Sequence, residues 1–339
     1  MYQSYFCLQK EPFGVSPDGR FFYQTEQHRE ALSGLYYAVE QRRGFAVLVG
    51  RPGLGKTSVL VQLFHLLEGK AEIAYLAQTF FDQATVIDSI LLSLGLTAGP
   101  SPTQSHRTFY EYLVKLRLAG KTCVVVFDEA QGLSLNTLEA IRMLSNFETP
   151  SEKLVQIVLA GQPQLIETLG RSDCEQLRQR VNYIARLEPV RFREIQDYIA
   201  HRLTTAGGSA AIFTPEAIEL IAEASGGVLR NVNTICFNAL TIAYALGRHC
   251  VGPAEVAEAL DDLDLSKVAA PVQLSAIPEK PEPSVIKRQD NPLAQIAIPS
   301  WSLRIWFPVR AFRHALIASS IVLVVAGTLL AGSVFWASR

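Results

Sequence analysis

Gly50-Arg51-Pro52-Gly53-Leu54-Gly55-Lys56-Thr57 sets glycines, a lysine and a hydroxyl at the spacing G-x-x-x-x-G-K-[ST]. These residue types suit a chain of phosphates. Glycine lets the backbone wrap closely where a Cβ would obstruct, and N–H groups at the start of a following helix point at an anion. Lys56 would reach the β- and γ-phosphates of ATP, the Thr57 hydroxyl would ligate Mg²⁺, and the nucleotide-contacting run extends from Gly50 through Ser58. A second set, Asp128-Glu129, closes the apolar run Cys123-Val124-Val125-Val126-Phe127. Asp128 would hold the metal, directly or through water, and Glu129 would orient and polarise the attacking water. The chemistry these two sets define is magnesium-dependent hydrolysis of ATP.

Such groups must be brought together by a sheet. Short apolar runs at Phe45–Val49, Ala71–Leu76, Cys123–Phe127 and Val155–Ala160 read as strands covered on both faces. Helical patterns lie between them, at Thr57–Leu67, Thr85–Leu92, Thr108–Ala119 and Leu135–Asn146. The alternation predicts an α/β fold with a parallel sheet, with Asp128 and Glu129 at its C-terminal edge, where ligands bind in such folds. The strand carrying them is expected beside the P-loop strand. Residues 1–44 read as a turn-rich loop and a helix from about Glu26 to Arg42 packing on this core, which runs over 45–190. From 191 to 265 no strand pattern remains. There Ile195, Tyr198, Ile199 and Arg202 share a helix face, Thr214-Pro215 starts a second helix and Gly226-Gly227 ends it. Arg230–Leu246 and a segment after Gly252-Pro253 add two more. This is a small helical domain.

Pro271, Pro278, Pro281, Pro283, Pro292 and Pro299 punctuate a polar stretch over 266–300 that reads as an extended linker. Residues 301–339 form a basic flank and an apolar run, and 315–337 contains no charged residue. About 20 apolar residues suffice to cross a bilayer as a helix. Trp301, Trp306, Phe307 and Trp336 sit near the ends of that run as interfacial aromatics do. Arg304, Arg310 and Arg313 precede the span and only Arg339 follows, so the positive-inside rule places the N-terminal part in the cytoplasm of a single-pass protein. The five cysteines are scattered without C-x-x-C pairs; Cys123 and Cys236 read as small core residues, and the pattern suggests a reducing compartment. No basic start followed by an apolar run marks a signal peptide. A formal net charge of −1 carries no global bias toward nucleic acid.

The adjacent Asp-Glu with a helical domain after the sheet resembles the AAA+ ATPases. Within them, Met1-Tyr2, Phe6, Pro12-Phe13, Pro17-Asp18, Phe22-Tyr23, His28, Glu30-Ala31-Leu32 and Gly44-Phe45 resemble the start of the ExeA, or general secretion pathway protein A, family. Gly161-Gln162-Pro163-Gln164-Leu165 and Ser225-Gly226-Gly227 followed by Arg230-Asn231 are similar too, so the resemblance spans about 1–262. It implies that the helical domain is a lid. It places Gln162 at sensor 1, near the γ-phosphate, although many AAA+ members have Asn there, and Arg230 at sensor 2. Arg180 becomes the candidate arginine finger acting on a neighbouring subunit, with Arg178 and Arg186 as competitors, which implies an oligomeric ring or partial ring. His28 falls in the segment that covers the adenine in such proteins and reads as an ordinary polar helix residue.

The resemblance implies a membrane-anchored ATPase of the bacterial inner membrane. It would drive assembly or operation of an envelope secretion, pilus or exopolysaccharide-export system through inner-membrane partners. Longer family members continue into a peptidoglycan-binding domain; direct wall binding is not expected of this chain. The competing reading is a DNA-binding AAA+ regulator of the transposition type. The apolar span speaks against it, as does the lack of a dense Lys/Arg run with interleaved aromatics.

Overall fold

A computed structural model of the chain describes residues 2–14, 18–77, 84–150 and 152–263. In chain order the elements are α1 (Tyr2–Tyr5), α2 (Glu26–Glu40), β1 (Phe45–Gly50), α3 (Lys56–Leu66), β2 (Ala71–Leu76), α4 (Val86–Ser93), α5 (Pro102–Leu118), β3 (Thr122–Phe127) and α6 (Leu135–Leu144). They continue with β4 (Val155–Gly161), α7 (Gln164–Gly170), α8 (Glu175–Arg178), β5 (Val181–Leu187), α9 (Phe192–Thr205), α10 (Pro215–Ser225), α11 (Leu229–Ala245) and α12 (Pro253–Leu263). The expected linker and apolar span, over 266–300 and 315–337, lie outside the described residues. Among the described residues no helix is long and apolar enough to cross a membrane.

Local chemistry explains the boundaries. The Thr25 hydroxyl caps α2 by accepting from His28 N–H, and Ala31, Leu32, Leu35, Ala38 and Val39 form its buried stripe. Ser101 caps α5, with Pro102 in its first turn. The helix therefore starts earlier than the expected Thr108, because its buried face begins only at Ser105 and Phe109. Thr214 caps α10, and Gly226 ends it in the left-handed conformation that favours glycine.

All five strands are parallel, in the order β2-β3-β4-β1-β5. This corrects the expectation that the Asp-Glu strand adjoins the P-loop strand: β4 lies between them. β5 was not anticipated. Its sequence Val-Asn-Tyr-Ile-Ala-Arg-Leu alternates exposed and covered residues, as an edge strand does. The opposite edge, β2, is also only half covered, unlike the fully buried strand its apolar residues suggested.

Alternate side chains of the sheet feed two cores. Val47, Val125, Phe127 and Ile157 pack with α4 to α8 residues such as Ile90, Phe109, Ile141 and Leu165. Leu48, Val124, Val126 and Val158 pack with Leu35 of α2 and Val59, Leu60 and Leu63 of α3. Each such fully buried aliphatic side chain stabilises the fold by about 1.5–3 kcal/mol.

A third core lies among α9 to α12, around Ile199, Leu203, Ile221, Val232, Ile235 and Leu240. Phe6, Leu8, Phe13 and Phe21 belong to it. The N-terminal segment therefore divides: α2 lies on the sheet, while the buried apolar side chains of the loop before it join the core of the helices. Buried Arg202 fixes that loop, donating to Tyr198 Oη at 2.6 Å and to the Pro12 carbonyl. Cys123 and Cys236 are core residues as expected; burial pushes the Cys123 thiol up to about 12.

Candidate active site

β1 ends at Gly50 and α3 begins at Lys56, so the glycine-rich loop joins a buried strand to a helix N-terminus. Two glycines are required by space as well as by conformation. Gly53 (φ +84°) and Gly55 (φ +92°) are left-handed. A Cβ on Gly53 would lie 2.8 Å from both Arg230 Cβ and Val228 Cγ1, and one on Gly55 would lie 2.9 Å from His28 Nε2. Among the described residues, the N–H groups of Gly55, Lys56, Thr57 and Ser58 have no hydrogen-bond acceptor. Four unpaired amides at the positive end of a helix dipole form an anion site.

Lys56 is 6% exposed, and its Nζ donates to Gly50 O at 2.8 Å and Arg51 O at 3.4 Å. Burial pushes this ammonium below the usual lysine range; Glu129 and Asp128 pull it back up, and Arg230 adds to the depression. Those influences bring the lysine, both carboxylates and Arg230 into one electrostatic neighbourhood.

The register shows how distant segments meet. Val49 pairs with Gly161 and Phe127 with Leu159, so β1, β3 and β4 end along the same sheet edge. Asp128, just past β3, is 6% exposed. Its Oδ2 accepts from the Tyr75 hydroxyl at 2.7 Å, its Oδ1 accepts from Glu129 N–H at 2.9 Å, and its own N–H donates to Leu76 O at 2.9 Å. Burial, followed by the Asp128 charge and hydrogen bond, pushes the Tyr75 phenol up, which keeps it a donor.

Glu129 has φ +53°, a left-handed backbone unusual for a side-chain-bearing residue. Its exposed carboxylate accepts from Gln131 Nε2 at 2.6 Å. The Oε1 of the same Gln131 accepts from Gln162 N–H at 2.9 Å. One glutamine thus bridges the ends of β3 and β4, joining Glu129 to Gln162. Arg230, in the first turn of α11, donates its main-chain N–H to Gly53 O at 3.2 Å, so the helical cluster rests on the loop.

Thr57 is exposed, and its hydroxyl has no hydrogen-bond partner among the described residues. Magnesium typically takes one or two protein oxygens and fills its remaining positions with phosphate oxygens and water. Thr57 and Asp128 supply such hard oxygen donors, and the free amides with Lys56 suit the triphosphate.

The arginines differ in their engagement. Arg180 Nη1 donates to Arg142 O at 3.3 Å, to Asn146 Oδ1 at 3.0 Å and to Ser145 Oγ, capping the C-terminus of α6 in its own chain. Arg178 reaches Gly170 O at 3.5 Å. Arg186 is exposed on β5, opposite Val49.

Sequence reasoning missed three members of the site. Gln131 carried a signal, standing two residues past Asp-Glu. Tyr75 carried none, since an aromatic residue on a strand reads as core. His28, read as a polar helix residue, is instead 2% exposed and bonded to the loop.

The AAA domain family matches residues 39–169. General secretion pathway protein A of Aeromonas hydrophila is 37% identical over 253 residues, covering 74% of this chain and 46% of that protein. The chain thus spans less than half the length of the curated relatives it matches. Two solved structures share the fold. Cdc6p of Pyrobaculum aerophilum does so with TM-score 0.56 and 21% identity, over 73% of this chain and 71% of that one. The ORC2 protein of Aeropyrum pernix does so with TM-score 0.58 and 16% identity, over 75% and 71%.

Proposed function

We propose that this chain, which is similar to general secretion pathway protein A over 74% of its length, is a magnesium-dependent ATP hydrolase of the AAA+ type tethered to the bacterial inner membrane. There it drives assembly or operation of an envelope secretion, pilus or polysaccharide-export system. One observation carries the enzymatic reading: four unpaired amides and buried Lys56 open α3 just past β1, and β1, β3 and β4 end along one sheet edge, which brings Asp128 and Glu129 to that same edge. Amides and Lys56 would hold the triphosphate, Thr57 and Asp128 would hold a magnesium ion, and Glu129 would position the attacking water. When bound, the ion would supply charge neutralisation at the transferred phosphoryl group. In this reading Gln162 and Arg230 are the polar group and the cation that would report on the γ-phosphate.

The tether is the uncharged run 315–337, with the ATPase unit on the cytoplasmic side of the three arginines that precede it. Cell fractionation tests it. The full chain should sediment with membranes, and a version ending at Ser266 should stay in the supernatant. Equal partition of the two removes the tether from the proposal.

Activity belongs to an oligomer in which an arginine of one subunit completes its neighbour's site, and Arg180 is the first candidate. Arg180→Ala should lower turnover by about 10³-fold or more, the usual worth of such an arginine. Mixing it with Lys56→Ala chains should restore hydrolysis, because each variant supplies what the other lacks. Absence of recovery, with rates independent of protein concentration, assigns Arg180 to capping α6 alone.

A further inference from the structure

The loop is gripped from outside at two successive carbonyls. Gly53 O accepts from Arg230 N–H at 3.2 Å, and Leu54 O accepts from the His28 ring at 2.8 Å. The second contact has no counterpart in the roles assigned above. His28 lies in the first turn of α2, 2% exposed, with its ring 5.9 Å from that of Phe22.

Its tautomer follows from its partners. A carbonyl only accepts, so Nε2 carries the proton toward Leu54. The Thr25 hydroxyl accepts from His28 N–H at 3.3 Å and lies 2.8 Å from Nδ1, so its own proton goes to that nitrogen. Burial pushes this imidazole below its usual range, in keeping with a neutral ring. The ring also fills the space that a Cβ on Gly55 would need.

The consequence lies across one peptide bond. In a trans peptide the C=O of residue 54 and the N–H of residue 55 point in opposite directions. Holding Leu54 O on the His28 side therefore aims Gly55 N–H the other way, and Gly55 N–H is the first of the four unpaired amides. We propose that His28 is a positioning residue for the triphosphate: it locks the Leu54–Gly55 peptide in its phosphate-binding orientation, tying nucleotide affinity to the seating of α2. This rests on the nucleotide-binding reading above.

The test compares three variants of the full chain. His28→Leu fills the site without a donor. The amide of His28→Asn ends near the position of Nδ1 and does not reach Leu54. The amide nitrogen of His28→Gln reaches the place of Nε2. By calorimetric titration with MgATP, the Leu and Asn variants should bind about tenfold more weakly than the wild type. Gln should stay within about threefold of it, a gap of well under one tenfold step. The loss should appear in KM rather than in kcat, since Glu129 is untouched. Hydrogen exchange of the peptide spanning 50–58, measured without nucleotide, should be faster in Leu and Asn and unchanged in Gln. A wild-type chain that takes up no MgATP refutes the nucleotide reading, whereas the exchange comparison still decides whether His28 holds the loop. Equal behaviour of all three variants, or unfolding of Leu and Asn alike, makes His28 an ordinary core residue and overturns the proposal.

Discussion

Lys56→Ala should abolish ATP binding at ordinary concentrations, raising the dissociation constant for MgATP by roughly 10²–10³-fold. Truncating one partner of a buried, hydrogen-bonded charge pair costs about 2–5 kcal/mol, and each 1.4 kcal/mol is about tenfold in affinity. The geometry puts this residue toward the severe end. Its side chain is buried, and Glu129 and Asp128 offset part of the desolvation that pushes its ammonium below the usual lysine range. It donates to Gly50 O and Arg51 O, contacts made without leaving the loop. The triphosphate offers stronger, charged acceptors to the same donors. Removing the side chain also leaves Gly50 O without that donor, so a melting curve must accompany the binding measurement. A folded Lys56→Ala chain that binds MgATP like the wild type would detach the loop from nucleotide altogether.

Glu129→Gln should separate binding from turnover. The amide keeps the size of the carboxylate, and its carbonyl oxygen still accepts from Gln131, so the bridge to Gln162 survives. What disappears is the charge that polarises water, a role worth about 10²–10⁴-fold in rate. Phosphate release should fall by that factor while MgATP affinity holds or rises, because a negative charge close to Lys56 has gone. Retention of wild-type turnover would move the water-positioning role to another residue. The comparison is informative because Glu129 already sits in a strained backbone conformation; strain of this kind, about 1–3 kcal/mol, persists only where surrounding contacts hold it.

The strands that carry the chemistry were legible because they are covered on both faces. Apolar runs make up the body of β1, β3 and β4, broken in β4 by Gln156, and their observed limits fall within a residue of those expected. β5 was not legible, because an edge strand with Asn182, Ile184 and Arg186 turned outward has no such run. Strand order escaped for a different reason. Which strand lies beside β1 depends on pairing across long stretches of chain, and local patterns carry no trace of it. The loop, Asp128 and Glu129 were found from their types and spacing. Gln131, Tyr75 and His28 act by reaching residues remote in sequence or on another element: Tyr75 meets Asp128 across two neighbouring strands, and His28 meets Leu54 from α2. For Tyr75 and His28 the neighbours in sequence gave no warning, whereas Gln131 stood two residues past Asp-Glu. The helical segment was read correctly at its caps, because Thr214-Pro215 and Gly226 act locally. Its partnership with Phe6, Leu8, Phe13 and Phe21 is nonlocal and stayed hidden.

That partnership sets a schedule for biosynthesis. The aromatic residues at the front of the chain find their core only among α9 to α12, the last helices of the described chain to leave the ribosome. At about 5–20 residues per second, the opening segment waits on the order of 10–40 s with its greasy side chains uncovered. During that interval it is a natural client for holdase chaperones, and a fragment ending before α9 would keep them bound.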